Sequence, residues 1–216
     1  NKELFGSGTA KLALVYGQGG SGTYIISAPV NLPEGNNFST TTGGVTTNYY
    51  VITSLGAAGS TTGTDLQGMN GNLSRNYALG SNIDASATST WNPNGSGGYY
   101  GFAPIGRNSG HAFTGHFNGL GHTITNLTIN RPVGTPGGTA TNVGLFGVLG
   151  KTNVATVSNV DLVNASIVGG TNVGGMVGNV LNGQFLTRYP LRVRLRLTQS
   201  ESTAQFDERS WLLIEL

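Results

Sequence analysis

Cysteine is absent from the 216 residues. That removes disulfide frameworks, thiolate zinc sites and cysteine nucleophiles together. Charge is nearly as scarce: only 9% of residues are Asp, Glu, Lys or Arg. Up to Gln184 the chain carries Lys2, Lys11, Arg75, Arg107, Arg131 and Lys151 against Glu3, Glu34, Asp65, Asp84 and Asp161, about +1 in all. The pI near 9.0 therefore reflects no basic stripe able to grip phosphates, and no nucleic-acid partner is expected. No apolar run approaches the roughly 18 residues that span a bilayer, so no membrane span is expected. No basic segment followed by an apolar one opens the chain, and residue 1 is Asn. The chain reads as an internal piece of a longer protein.

Glycine, by contrast, supplies 36 residues, and Ser, Thr and Asn most of the polarity. Disorder would need few apolar residues and high net charge; here 37% are apolar and the net charge is +2. An ordered all-β chain with many turns fits better, and collagen is excluded because the glycines keep no period of three. The organising stretch is Phe113–Gly178. There Asn142-Val-Gly-Leu-Phe-Gly147 is echoed by Asn172-Val-Gly-Gly-Met-Val-Gly178, thirty residues on. That spacing falls in the range of repeat architectures. Each phrase is too glycine-rich for a helix, since an interior glycine costs roughly 1 kcal/mol against alanine. The runs Ile124 to Ile129, Val143 to Leu149 and Val157 to Val168 are strand-sized, with Gly and Asn where the chain must turn. The expectation is a β-solenoid whose segments bury their apolar faces only by stacking. Val143, Phe146, Val160, Leu162, Val173 and Val177 are its expected interior.

Around this core, residues 1–75 form a β-strand-rich leading segment, 76–184 the repeats, and 185–216 an atypical tail. Strands are expected at Lys11–Tyr16, Thr23–Ser27 and Tyr49–Leu55, and a short helical turn after Asp65. Gly17-Gln-Gly-Gly-Ser-Gly22 has no following Lys-Ser/Thr and is a hairpin connection rather than a P-loop. Gly183 is the last glycine. Beyond it, Leu191–Leu197 alternates as an amphipathic strand would, and Ser202–Leu216 suits an amphipathic helix. The abrupt change of composition favours a shifted reading frame or non-native end, because natural sequences are locally consistent.

Asn76-Tyr-Ala-Leu-Gly-Ser-Asn-Ile-Asp-Ala-Ser86, Gly101-Phe-Ala-Pro-Ile-Gly106 and Phe113-Thr-Gly-His-Phe-Asn-Gly-Leu-Gly-His-Thr-Ile-Thr-Asn-Leu-Thr-Ile129 resemble the filamentous-haemagglutinin-like adhesins of Gram-negative bacteria. Val143–Gly147 and Val173–Gly178 resemble the GLUG motif of those proteins, and Tyr50–Gly59 is similar in wording. The resemblance covers roughly residues 24–184. It implies a right-handed parallel β-helix, surface location or secretion by the two-partner route, and an outer-membrane export partner for the full-length protein. Asn92-Pro-Asn-Gly95 echoes a motif of the secretion domain but lacks its surroundings and reads as a turn. The tail matches nothing in the family.

His111, His116 and His122 lie within twelve residues, but no Cys or carboxylate stands near to complete a tetrahedral zinc set, so no metal and no cofactor is expected. Glycines around them suggest exposed turns. Glycoside cleavage needs two carboxylates across a bound sugar; of Glu34, Asp65, Asp84 and Asp161, only Asp84 and Asp161 are candidates to meet on one face. No Gly-x-Ser-x-Gly elbow with a His and an acid emerges. Sequons at Asn37, Asn72, Asn126 and Asn164 open the chain to glycosylation. The expected function is a non-catalytic segment of a secreted or surface-exposed bacterial adhesin, attaching to host-cell glycans or protein. The alternatives are a polysaccharide lyase or glycoside hydrolase and a ligand-free spacer. No residue is assigned to catalysis or to ligand contact.

Overall fold

The computed structural model describes residues 4–5, 10–17, 19, 22, 24–134, 140–152 and 154–186. The described strands are β1 (Leu4–Phe5), β2 (Leu12–Tyr16), β3 (Val30–Asn31), β4 (Gly35–Thr42), β5 (Val45–Ile52) and β6 (Tyr77–Leu79). They continue as β7 (Ile83–Asp84), β8 (His116–Asn118), β9 (Thr123–Thr125), β10 (Thr128–Asn130), β11 (Thr141–Val143) and β12 (Phe146–Leu149). The rest are β13 (Ala155–Ser158), β14 (Asp161–Val163), β15 (Ser166–Val168), β16 (Thr171–Val173), β17 (Val177–Val180) and β18 (Gly183–Leu186). Two 3-10 turns, Gln67–Gly71 and Ser86–Thr90, are the described helical elements. The turn expected after Asp65 is the first of these.

The expected continuous right-handed parallel β-helix does not form. The strands fall into several small, distinct sheets, and none closes or curls on itself. The largest has the order β18-β13-β8-β6-β5-β4-β2, beside a three-stranded β14-β9-β7 sheet and the pairs β1-β3, β10-β15, β11-β16 and β12-β17. Pairing is mixed: β4 and β5 are antiparallel, with Gly35↔Val51 and Thr42↔Val45 at their ends. The physical reason lies in two features of the sequence. Gly43 and Gly44 take φ of 53° and 79°, and two central residues at positive φ make the tight hairpin that reverses the chain. Through most of the remainder the strands are two to four residues long and separated by turns, and they pair in small separate sets rather than in one long sheet.

The thirty-residue echo appears as local parallel pairing. Thr141 faces Thr171 and Val143 faces Val173; Phe146 then faces Val177. Elsewhere the partner lies farther along, as in His116 of β8 opposite Thr156 of β13, forty residues on. Parallel register places like side chains above one another. Ile83, Ile124 and Leu162 line up across β7, β9 and β14, all buried, while Thr123 and Thr125 point the other way. Ile129 and Ile167 do the same in β10 and β15. This is the period-2 alternation of a half-buried strand. Of the expected interior, Val143, Phe146, Val160 and Leu162 are buried, and Val173 and Val177 pack partly buried against them. Phe146 is central, with its ring centroid 5.0 Å from Phe113 and 5.3 Å from Phe117.

A second, smaller apolar cluster gathers Leu32, Phe38, Tyr49, Val51, Ala78 and Leu120. It joins the leading segment to the later one, and β5 pairs with β6 through Tyr50↔Tyr77 across residue 75. Residues 24–27 form no strand; Tyr24 instead accepts a short hydrogen bond from the Asn118 side chain. His122 ties this cluster down. It is 1% exposed, which corrects the expectation of a solvent-facing turn. Its Nε2 lies 2.9 Å from the Val30 carbonyl and its Nδ1 3.2 Å from Asn82 Oδ1. Asn82 Oδ1 also accepts the Thr123 amide, so the ring is held between the Val30 carbonyl and the Asn82 side chain. Except for Phe185 and Leu186 in β18, the atypical tail lies outside the described residues.

Replacing Phe146 with Ala removes the ring that bridges Phe113 and Phe117 and should cost about 3–5 kcal/mol in urea unfolding. Val180→Ser, at an exposed position, should change stability by less than about 0.5 kcal/mol. Burial lowers the pKa of both His116 and His122 from the usual 6.5, the Val30 contact partly opposing it at His122. Below pH 6.5 the unfolded chain therefore binds protons that the folded chain refuses, so stability is full above that pH and declines as pH falls below it. Urea midpoints between pH 7.5 and 5 should show this slope, and His122→Gln should flatten it.

Candidate functional site

The three histidines serve separate ends. His122 is the buried tether just described. His116 Nδ1 lies 2.8 Å from Thr156 Oγ1 on the neighbouring strand. His111 is exposed on a turn made by Asn108, whose Oδ1 accepts the Gly110 and His111 amides and faces His111 Nδ1 at 3.2 Å. Among the described residues, no group of three or more His, Asp or Glu side chains is placed to hold a metal ion.

The carboxylates are likewise distributed. Asp84 faces Thr125 and Asp161 faces Thr123, so the two lie on one face of the three-stranded sheet with β9 between them. Two strand spacings and a two-residue offset put their Cα atoms about 12 Å apart. Asp84 is committed to structure: it accepts Asn126 Nδ2, the Ser86 amide and the Ser86 hydroxyl, each at 3.0 Å. Those bonds, the one from Asn126 foremost, hold its carboxyl below the usual range. A general acid needs the opposite shift. Glu34 accepts the Tyr50 hydroxyl. Asp65 is buried, taking the Ser60 and Thr62 hydroxyls on one oxygen and the Gly68 amide on the other.

What Asp65 organises is the wall of a groove. The loop that it ties leads into the 3-10 turn Gln67–Gly71, whose amides hold the facing chain. Gln67 Nε2 donates to the Ala103 carbonyl and Gln67 Oε1 accepts the Ala103 amide, both at 3.0 Å. Asn70 Oδ1 accepts the Gly106 amide at 3.1 Å. Between this wall and residues 103–111, 131 and 141–142 opens a cavity of about 710 Å³, a size that suits a small organic ligand. Arg107, His111 and Arg131 line it, and no Asp or Glu among the described residues does.

Arg131 is the unusual member. It is 8% exposed and stacks toward Tyr100, with its guanidinium carbon 5.6 Å from the ring centroid. Its Nε has no hydrogen-bond partner. Burial pulls its pKa below the usual guanidinium value. In the sequence Arg107 and Arg131 stand out only as two of few charges. They lie 24 residues apart and opposite a loop near residue 60, so no local pattern marks the groove.

The expected sequons fall on different surroundings. Asn37 and Asn126 spend their Nδ2 groups on Pro33, Glu34 and Asp84. Asn72 is exposed and accepts the Ser74 hydroxyl, and Asn164 is exposed at φ 58°. Asn94-Gly-Ser96 is a further sequon that the sequence reading passed over; its Oδ1 caps the amides of Ser96 and Gly98.

No protein-family model matches the chain, and no solved structure matches it. Among curated proteins it is similar to "Halomucin" of Haloquadratum walsbyi, strain DSM 16790 / HBSQ001, with 45% identity over 104 residues. The aligned stretch is 47% of this chain and 1% of that protein. The likeness gives no footing to the GLUG wording or to the β-helix that went with it, which the sheet topology had already set aside.

Proposed function

We propose that the chain is a non-catalytic segment of a large secreted or surface-exposed attachment protein, an adhesin that contacts host-cell glycans or protein. The observation that carries this reading is the proportion of the match: the aligned stretch is 1% of its relative. A unit of that proportion in a very long chain suits an extended surface molecule, where weak contacts repeated along the length add through avidity. The site agrees in character. Its walls are built from side-chain amides already bonded to backbone, so the groove is preformed and costs little to order on binding. Asp84, tied into a turn with a lowered pKa, serves the fold better than it would serve acid catalysis.

The test is adhesion by the purified 216-residue chain, labelled and presented both singly and clustered on beads. Saturable binding to cells or to a glycan array, stronger by about 10²-fold or more when clustered, is the expected outcome. Release of reducing ends or unsaturated products from polysaccharide, abolished by Asp84→Asn or Asp161→Asn, would replace this reading with an enzymatic one. Absence of binding to every cell and glycan tested would reduce the chain to a spacer.

A further inference from the structure

Resting on the attachment reading, we infer that the groove is a carboxylate site and that its ligand is an acidic sugar of the uronate class. The argument starts from Arg131. Arg131 is more than nine-tenths buried, its Nε has no hydrogen-bond partner, and no Asp or Glu among the described residues pairs with it, so no described carboxylate neutralises its charge. Such a group is costly to keep unless something neutralises it. The Tyr100 face offsets only part, since a cation over a ring is worth far less than an ion pair. Arg131 is also one of the residues that line the groove.

The rest of the lining completes the complement. Arg107 stands exposed at the same groove, and the described lining contains no carboxylate. Two amides point the same way chemically. Asn108 Oδ1 is taken by two backbone amides, and Asn142 Oδ1 accepts Asn172 Nδ2 at 2.9 Å. With their oxygens committed, what these residues have left to offer are N–H donors. The groove thus presents amide donors and positive charge, and its described lining carries no carboxylate. A carboxylate matches the planar guanidinium, which pairs with it by two parallel hydrogen bonds. The hydroxyls of a sugar ring supply further acceptors to the amide donors. A ligand carboxylate on the Nη groups neutralises the delocalised charge without having to reach the buried Nε.

The experiment is calorimetric titration of the full 216-residue chain with trigalacturonate, its fully methyl-esterified form, and a sulfated neutral trisaccharide. Trigalacturonate should bind and raise the melting temperature, and the methyl ester should bind at least tenfold more weakly. Arg107→Gln, an exposed position, should weaken binding about three- to tenfold and make it less sensitive to salt. Arg131→Met should abolish binding and the ligand-induced shift while leaving the ligand-free melting temperature equal or higher, because it removes a buried charge that has no partner. A purely structural arginine would instead lower that temperature. Equal binding of the acid and its methyl ester, a preference for the sulfated sugar, or unchanged binding by Arg107→Gln and Arg131→Met would each overturn the assignment. Clustered chains that still adhere to cells while trigalacturonate fails to bind would sink the uronate site alone and leave the attachment reading standing. Failure of both would remove both.

Discussion

The parallel register between distant segments is the constraint on which the rest of the structure depends. A strand of three residues has almost no stability of its own. It persists here because its neighbour repeats its pattern, so that Ile83, Ile124 and Leu162 fall into one buried column and each backbone pairs on both edges in the middle of the sheet. Slipping any strand by one residue would carry its isoleucine or leucine to the threonine side. The core is thus specified by register rather than by the mass of any single element.

Register in turn depends on how the chain turns between strands. Asn126, Asn142, Asn159, Asn164 and Asn172 all take positive φ, between 51° and 60°. Asparagine tolerates this conformation better than other side chains and can hydrogen-bond locally or to a neighbour while adopting it. The side chains use that freedom: Asn172 bonds Asn142, Asn159 bonds Asn118 and Asn126 bonds Asp84. These bonds tie a turn to the segment beside it, so strands and corners stay in step together. Where a side chain has no room the chain uses glycine; a Cβ on Gly150, at φ 74°, would stand 1.4 Å from the Asn182 carbonyl oxygen.

These rules were legible in part. The thirty-residue echo from Asn142 to Asn172 and the strand-sized apolar runs were plain because they are local signals, and they locate much of the core. The larger architecture was not, because it turns on one hairpin. Gly43-Gly44 stands in a polar Thr- and Asn-rich stretch, and nothing in its neighbours distinguishes a tight reversal from another loop. That hairpin brings an antiparallel pair into the largest sheet, where uniform parallel stacking was expected. His122 escaped notice for a related reason. Its flanking glycines resemble those of an exposed turn, whereas its burial is decided by Val30, ninety-two residues away.

The groove was the least legible feature, and its physics explains why. Its wall is set by amide-to-backbone bonds spanning 36 residues, and such bonds leave no periodic trace in a sequence. Its charge is two arginines in a chain where charge is rare. Rarity sharpens their meaning. On a highly charged surface an unpaired arginine is ordinary, screened by salt and by neighbours of either sign. In a wall of amides and hydroxyls with no acidic lining, a positive charge has little nearby to cancel it, and burial at Arg131 makes its field stronger than that of a solvated group. The low charge content of the chain therefore concentrates its electrostatics at few places. Specificity for an anion then needs no dense basic patch, only a guanidinium withdrawn from water and a groove whose amide oxygens are already spoken for.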